Sequence, residues 1–250
     1  MGYNHIYLYD NNDINGERFE DIIQDYIKIG FVSLIDYRGI QGSNINPQLN
    51  AYRDCYDKFN MTYNWLSFFD IDEYLEINPS YSKIQNFLSS KRYAHCQNIK
   101  INWVYYTNNN SLYYENKPLQ KRVNIPIYNL SLNQHIKSTV KGNLSKNFWS
   151  LANNPHTSLI NFTTCSSSGR IINFSSPLIN PPDYKYAYIK HYQNKSFEEY
   201  CLKIKRGRPV PQFDEYRNLK IKLLFYDNKN NSEKLHILRK VFNLSNYSQN

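Results

Sequence analysis

The sequence contains none of the long apolar segments that mark membrane-spanning or exported proteins. No run of about 18 apolar residues occurs, so no transmembrane segment is predicted. Residues 1–5 carry neither a basic stretch nor an apolar core, and they therefore do not resemble a signal peptide. These absences predict a cytoplasmic protein.

Cysteine is scarce and widely spaced. The four cysteines of the 250-residue chain are Cys55, Cys96, Cys165 and Cys201, and no two of them form a Cys-x-x-Cys pair. The spacing therefore favours neither a zinc site nor a dense disulfide framework. Buried free thiols are the expected state.

Acidic residues are outnumbered, with 21 Asp and Glu against 30 Lys and Arg, which gives a net charge of +9. Such an excess attracts nucleic acid, acidic lipid or a phosphorylated small molecule. The basic residues are spread along the chain, which argues against a specific nucleic-acid partner. The sequence also has no Gly-x-x-x-x-Gly-Lys phosphate loop, which disfavours a phosphoryl or nucleotidyl transferase of that type.

The N-terminal part shows a strand–helix–strand pattern. Residues 5–9 and 31–37 are predicted strands, and residues 17–29 have helical apolar spacing that Gly30 ends as a C-cap residue. This pattern predicts parallel pairing with a right-handed crossover. We therefore expect one α/β domain over residues 1–242, with a mostly parallel central sheet, helices on both faces, and a frayed tail over 243–250.

Further elements follow from periodicity and turn residues. Helices are predicted at 47–60, 81–92, from Ser196 to Gly207, at 218–226 and at 232–241, and strands at 97–106, 135–141, 156–162 and 187–192. Ser196 is a favourable helix cap, with Glu198 and Glu199 in the first turn.

Three carboxylates follow an apolar run. Residues 65–69 have the length and aromatic content of a buried strand, and Asp70, Asp72 and Glu73 come directly after it. In open α/β sheets, ligands bind beyond the carboxyl ends of the strands. Crowded carboxylates require a positive partner, and a hard divalent cation is the simplest one. The alternative is the start of a helix, with Asp70 or Asp72 as its cap.

Four segments together resemble glycosyltransferase family 92 and its bacterial and viral relatives. They are 5–11, 65–75 with its Trp-x-x-x-x-Asp-x-Asp-Glu pattern, 100–103, and 191–208 with its His-Tyr-Gln-Asn-Lys-Ser start. The resemblance implies a GT-A fold and sugar transfer from a nucleotide-diphosphate sugar to a glycan or other hydroxyl acceptor. It also implies an inverting hexosyltransferase that uses Mn²⁺ or Mg²⁺.

Two features depart from the family pattern. The family usually begins with another strand and helix, and this chain starts at what resembles the second strand. Tyr105 and Tyr106 also replace an expected Phe-Gly after Trp103. A catalytically weakened GT-A-like module that binds glycan or nucleotide is therefore an alternative, as is a metal-dependent nucleotidyltransferase.

The resemblance gives the carboxylates specific roles. Asp72 is the first choice as metal ligand, and Asp70 is expected to reach the metal or the ribose of the donor. Asp10, at the end of the first strand, is a candidate for hydrogen bonds with the base or ribose. Related enzymes often add a late histidine ligand, for which His156 and His191 are the candidates.

The remaining candidates concern the phosphates, the acceptor and the base. Lys195 and Arg206 are expected to hold the donor diphosphate through their charge. Trp103 is expected either to line a sugar pocket or to lie in the core. Inversion needs a carboxylate that removes the acceptor proton. The candidates for this base are Glu115, Asp183 and Glu198.

Overall fold

The computed structural model describes residues 2–12, 15–38, 46–107, 111–144, 156, 162–172, 176–193, 195–206 and 230–242, with Arg206 and Asn231 described by their backbone alone. The chain divides into two compact units. Unit 1 comprises Met1–Val104 and Asn129–Lys190, and unit 2 comprises Tyr105–Tyr128 and His191–Asn250. That the chain forms a single domain stays a prediction.

The N-terminal strand–helix–strand pattern is present as predicted. Strand β1 (Ile6–Asp10), helix α1 (Glu20–Lys28) and strand β2 (Val32–Asp36) follow one another, and β1 pairs with β2 in parallel. Gly30 adopts φ +71° and donates its N–H to Ile27 O at 2.9 Å, which ends the helix because glycine tolerates this conformation. These strands form their own two-stranded sheet.

A second, larger sheet contains the other strands of the described residues. They are β3 (Trp65–Ser67), β4 (Glu73–Ile77), β5 (Asn98–Thr107), β6 (Ile125–Ile127), β7 (Ile136–Lys141), β8 (Thr164–Ser166) and β9 (Ala187–His191). Their order is β3-β7-β5-β9-β4, and β6 and β8 also pair with β5.

Most pairings with a defined direction in this sheet are antiparallel. Strand β7 runs antiparallel to both β3 and β5, and β6 runs antiparallel to β5, whereas β8 is parallel to β5. The prediction of a mixed α/β protein is confirmed, but the prediction of a mostly parallel sheet is wrong. One crossover between β1 and β2 does not fix the direction of strands that pair in another sheet.

The remaining helices are short. They are α2 (Pro47–Phe59), α3 (Ile84–Leu88), α4 (Leu119–Arg122), α5 (Phe197–Arg206) and α6 (Asn231–Phe242), with 3-10 turns at Lys91–Tyr93 and Ser131–Gln134. The single helix predicted at 81–92 is thus replaced by two shorter elements, α3 and the first 3-10 turn. Predicted elements at 157–161 and 218–226, and the tail 243–250, lie outside the described residues. Each helix in the described ranges is too short or too polar to cross a membrane.

Unit 1 packs around β5 and β7. One hydrophobic cluster contains Leu75, Ile84, Phe87, Tyr93, Cys96, Ile99, Ile101, Cys165, Ala187 and Ile189. A second cluster places α2 on the sheet and contains Leu49, Tyr52, Tyr56, Leu66, Phe68 and Val140. The second cluster matters for the site, because it fixes α2 beside β3 and β7. Within unit 2, α5 packs on α6 through Cys201, Ile237, Leu238 and Val241.

Two of the four cysteines are bonded. Cys96 and Cys165 form a disulfide across a sequence separation of 69, whereas Cys55 and Cys201 are free. The prediction of free thiols is therefore wrong for the first pair. Sequence spacing did not reveal the bond because it depends on β8 pairing with β5, which places Cys165 opposite Ile99.

Candidate functional site

The three predicted carboxylates lie in one tight turn between β3 and β4, which we call the carboxylate turn (Asp70–Glu73). Asp70 lies three residues beyond β3, Asp72 is in the turn itself, and Glu73 begins β4. Glu73 N–H donates to Asp70 O at 3.0 Å, and Asp70 N–H donates to Glu73 Oε2 at 2.9 Å. This reciprocal pair closes the turn and keeps the carboxylates close together.

A lysine from the neighbouring strand lies among these carboxylates. Lys137 Nζ is 2.9 Å from Asp70 Oδ2 and 3.3 Å from Glu73 Oε2. The Lys137 side chain is only 1% exposed, and that of Glu73 is fully buried, whereas 41% of the Asp70 side chain is exposed. The positive charge predicted for this cluster is thus supplied at least in part by the chain itself.

Helix α2 also contributes side chains that hold the carboxylate turn. Asn46 caps this helix by accepting Gln48 N–H at 3.0 Å. The Gln48 side chain in the first turn then donates to Asp70 Oδ1 at 2.5 Å. One turn further on, Tyr52 OH accepts from Lys137 Nζ at 3.3 Å. Both oxygens of Asp70 are therefore held by side chains from other elements.

Burial and charge set the protonation of this cluster. Burial raises the pKa of Glu73 to about 8; the Lys137 charge counteracts this rise, and the charges of Asp70 and Asp72 add to it. Burial opposes the charge of Lys137, but neighbouring Tyr52, Glu73 and Asp70 outweigh it, so its pKa lies above the ordinary value. Lys137 is consequently an ammonium at neutral pH, whereas Glu73 gains a proton at a higher pH than an exposed glutamate does.

His156 belongs to the same neighbourhood. Burial lowers its pKa to about 3, with a further contribution from the Lys137 charge and an opposing one from Asp70. Its imidazole is therefore neutral, which is the form that binds metals. The ring lies edge-on to Trp103 at 6.2 Å between centroids, and Trp103 stacks on His135 at 4.9 Å.

The donor atoms here suit a divalent cation in type. Asp70 and Asp72 provide hard carboxylate oxygens, His156 provides a neutral nitrogen, and Glu73 Oε1 is buried without a hydrogen-bond partner. They do not converge on one point. Within the described residues, His95 with the disulfide pair is the one group with three such ligand atoms within 4.8 Å of one another. A metal at the turn therefore needs ligands beyond these described side chains.

Asp10 ends β1 and is almost fully buried. Its Oδ2 accepts from Arg38 Nε at 2.8 Å, and its Oδ1 accepts from Asn12 N–H at 3.0 Å. The Arg38 NH1 atom is buried without a hydrogen-bond partner. A pocket opens at these strand ends, lined by Asp10, Arg18, Glu20, Leu34, Asp36 and Arg38. In the structure, Asp10 thus positions Arg38 at the pocket, and its contact with a base or ribose stays a prediction.

The metal candidate His191 and the phosphate candidates Lys195 and Arg206 belong to unit 2. His191 is buried at the end of β9 and lies edge-on to Tyr105 at 6.1 Å between ring centroids. Lys195 is half-buried, and the side chain of Arg206 lies outside the described residues. Their roles toward a donor stay predictions.

The backbone N–H groups at the start of α5, next to Lys195 in the sequence, already have protein acceptors. Phe197 and Glu198 donate their N–H groups to carbonyl oxygens of residues 111 and 112, at 3.0 and 2.9 Å. Ser196 and Glu199 bond reciprocally, because Ser196 N–H donates to Glu199 Oε2 and Glu199 N–H donates to Ser196 Oγ. The predicted Ser196 cap is confirmed. A phosphate near Lys195 would accordingly rely on its side-chain charge.

The three candidates for the catalytic base all have partners. Glu115 is paired with Lys117 at 2.7 Å, which lowers its pKa. Glu198 Oε1 is 3.2 Å from Lys240 Nζ. Partial burial opposes the charge of Asp183, but hydrogen bonds from serine side chains outweigh it and lower its pKa. A lowered pKa weakens Glu115 and Asp183 as proton acceptors, and Glu198 is held in its ion pair with Lys240, so none of the three stands out as the base.

Sequence reasoning missed Gln48, Tyr52 and Lys137. Gln48 and Tyr52 are four residues apart on a predicted helix, so they lie on one face, but the sequence does not say what that face contacts. The lysine lies in a correctly predicted strand. The pairing of β7 with β3 is what brings its ammonium to the carboxylate turn.

Comparison with known families gives one match. The family model described as Glycosyltransferase family 92 matches residues 1–231 of the chain. No curated protein matches the chain.

Proposed function

The chain belongs to glycosyltransferase family 92, and on that premise we propose that it transfers a sugar from a nucleotide-diphosphate sugar to a hydroxyl group of a glycan or another acceptor. Family membership identifies the chain as a transferase of glycosyl groups. The nucleotide-sugar donor, the GT-A arrangement, the inverting outcome and a hexose as the transferred group are the parts that we add.

The carboxylate turn is the proposed site of the donor diphosphate and of a divalent cation, Mn²⁺ or Mg²⁺. Asp72 and His156 would hold the metal, and the exposed side of Asp70 would face the donor. When bound, a divalent cation stabilises the negative charge that builds on the leaving diphosphate. The observation that carries this proposal is the cluster of hard carboxylate oxygens beside a neutral, half-buried imidazole, in a chain of this family.

The chain's own residues prepare this site before the donor arrives. Gln48 and Lys137 hold the two oxygens of Asp70, so the carboxylate does not have to be ordered during binding. Trp103, stacked on His135, provides an aromatic surface near His156 on which a sugar ring can pack.

Calorimetry on an Asp72→Asn variant tests the metal role. The parent protein should bind a nucleoside diphosphate more tightly with Mn²⁺ than without it, and the variant should lose this difference because one ligand oxygen is gone. Asp25→Asn, on the exposed surface of α1, is the matched control and should behave as the parent. Unchanged metal dependence in Asp72→Asn would refute the assignment.

A screen of nucleotide sugars for release of the nucleoside diphosphate tests the reaction itself. A glycosyltransferase commonly hydrolyses its donor slowly when no acceptor is present, so one sugar class should give product above background. If the parent binds none of the nucleoside diphosphates offered and releases none from any donor, the proposed function is wrong.

A further inference from the structure

We propose that Lys137 is a built-in counter-ion of the carboxylate turn, which keeps the affinity of the turn for divalent metal low until an anionic ligand is present. The inference builds on the proposed function in one respect, since it takes the donor diphosphate as that anionic ligand. The test below uses metal alone, so it does not depend on the identity of the donor.

The position of Lys137 is fixed by its surroundings. Its side chain is 1% exposed and its Nζ has close oxygen atoms from Asp70, Glu73 and Tyr52, at 2.9, 3.3 and 3.3 Å. Taking an ammonium out of water is costly unless it is paired and hydrogen-bonded. These three contacts meet that condition, so the charge is a permanent part of the turn rather than a surface lysine that can swing away.

This ammonium faces the same oxygens that a metal would seek. Lys137 lies against Asp70 Oδ2 and Glu73 Oε2, while Gln48 donates to Asp70 Oδ1. A divalent cation approaching these atoms would meet a like charge a few ångströms away and would have to displace a hydrogen bond. The turn therefore leaves a metal few of its own oxygens, whereas hard cations prefer six or more.

Diphosphate oxygens supply both missing elements. Their negative charge would offset that of Lys137, and they would add ligands to a metal held by Asp72 and His156. Metal and diphosphate would then bind as a pair, each improving the site for the other. Such coupling would prevent the turn from holding a metal without a donor.

Titration of Mn²⁺ alone into the parent and into Lys137→Met, followed by calorimetry, tests this role. Methionine is unbranched, keeps most of the length of the side chain and removes its charge, so Mn²⁺ should bind about tenfold more tightly or better. Lys137→Arg retains the charge and should bind Mn²⁺ as weakly as the parent. Lys58→Met removes a lysine from an exposed ion pair with Asp54, and it should leave the affinity unchanged.

A second variant covers the case in which Lys137→Met does not fold, since that change leaves Glu73 buried without its partner. The double variant Lys137→Met/Glu73→Gln replaces both members of the buried pair and leaves Asp70 free of the ammonium. Mn²⁺ should raise its melting temperature more than that of the parent. If neither variant binds Mn²⁺ more tightly than the parent, including the case in which none of them binds it, the counter-ion role is wrong.

The test of Lys137 and the test of the proposed function can fail independently of each other. Failure of the parent to bind any nucleoside diphosphate would remove the proposed donor but would leave the comparison of Mn²⁺ affinities intact. Conversely, equal Mn²⁺ affinities in a protein that releases nucleoside diphosphate from its donor would refute the role of Lys137 alone.

Discussion

Lys137, Asp70 and Glu73 form a cluster whose net charge at neutral pH depends on one proton. Burial raises the pKa of Glu73 to about 8, close to neutral pH, so the cluster carries one ammonium and either one or two carboxylates there. Buried ion pairs of this kind contribute little to stability compared with apolar side chains of the same size. Their presence beside an exposed carboxylate is better explained by binding than by folding.

Gly142 illustrates how one missing side chain permits close packing. It follows β7, donates its N–H to Asn64 O at 2.8 Å, and lies so close to the backbone that a Cβ would overlap the carbonyl oxygens of Asn60 and Tyr63. Because these atoms are backbone, they cannot rotate away. We expect Gly142→Ala to lower the free energy of unfolding by about 3 kcal/mol or more, measured by urea denaturation.

Gly30→Ala is the matched control for this prediction. Gly30 has φ +71°, but no atom lies within 4 Å of the position that a Cβ would take, so alanine there meets conformational strain without overlap. Its cost should be about 1 kcal/mol. Equal losses for the two variants would show that the turn after β7 can shift, contrary to the expected clash.

The N-terminal turn of helix α5 is stabilised by charged side chains. Glu199 accepts from Ser196 in the capping box, and it also forms a two-pronged ion pair with Arg122, one bond of which measures 2.7 Å. Partial burial opposes the charge of Glu199, but the bonds from Arg122 and Ser196 outweigh it, so its pKa lies below the ordinary value. Within unit 2, this pair ties α5 to α4.

This lowered pKa predicts a pH-dependent contribution to stability. The Glu199 carboxylate has a lower pKa in the folded protein than its value of about 4.5 in the unfolded chain, so its charge stabilises the fold above pH 4.5. This contribution is lost as the pH falls through the pKa of the folded protein. Glu199→Gln should therefore cost about 1 to 3 kcal/mol at pH 6 and much less at pH 3. Urea denaturation at the two pH values measures the difference.

A double-mutant cycle identifies the partner. Arg122→Gln should remove the same pH-dependent contribution, and the double variant should lose little more than either single change at pH 6. A gap between parent and Glu199→Gln that stays constant from pH 6 to pH 3 would contradict the ion-pair explanation.

Local sequence signals placed most elements well. The β1–α1–β2 unit, α2, β5, β7 and the Ser196 cap follow from apolar periodicity and capping residues, because these are properties of neighbouring residues. The directions of the strands in the larger sheet could not be predicted from these local signals, because they depend on pairing between distant segments. Strand β3 shows the same limit: the predicted strand 65–69 is reduced to Trp65–Ser67, and the carboxylates belong to a turn into β4.

The candidate site residues show the same difference between contacts that are local in the sequence and contacts that join distant segments. That Asp70, Asp72 and Glu73 lie close together was predictable, because they are near neighbours in the sequence and follow an apolar run. That His156 lies near Asp70 required the fold, as did the insertion of Lys137 between Asp70 and Glu73, because these contacts join segments more than 60 residues apart in the sequence. The order of the chain alone carries no signal for them.

The disulfide covalently joins two parts of unit 1 that are far apart in the sequence. It connects Cys96, just before β5, to Cys165 in β8 across a separation of 69 residues. Closing a loop of that size restricts the unfolded chain and is worth about 4 kcal/mol by chain-entropy arguments. We expect Cys96→Ser/Cys165→Ser to be less stable by about that amount, as measured by urea denaturation.

Treatment of the parent with a thiol reductant should produce the same loss, whereas the double variant should not respond to it. The free Cys55 and Cys201 serve as an internal control, because reduction leaves them unchanged. A parent whose stability does not change on complete reduction would contradict the expected contribution of the bond.

Unit 2 combines two stretches of chain, Tyr105–Tyr128 and His191–Asn250, with part of unit 1 encoded between them. On a ribosome, the first stretch emerges well before the second, and the intervening segment of about 60 residues takes roughly 3 to 12 s to make. During that time Tyr105 and Tyr106, which are buried in the finished protein, lack the ring contacts that they later make with His191 and Tyr192. In this interval these side chains are exposed to chaperones and proteases, and slower translation of residues 129–190 lengthens it.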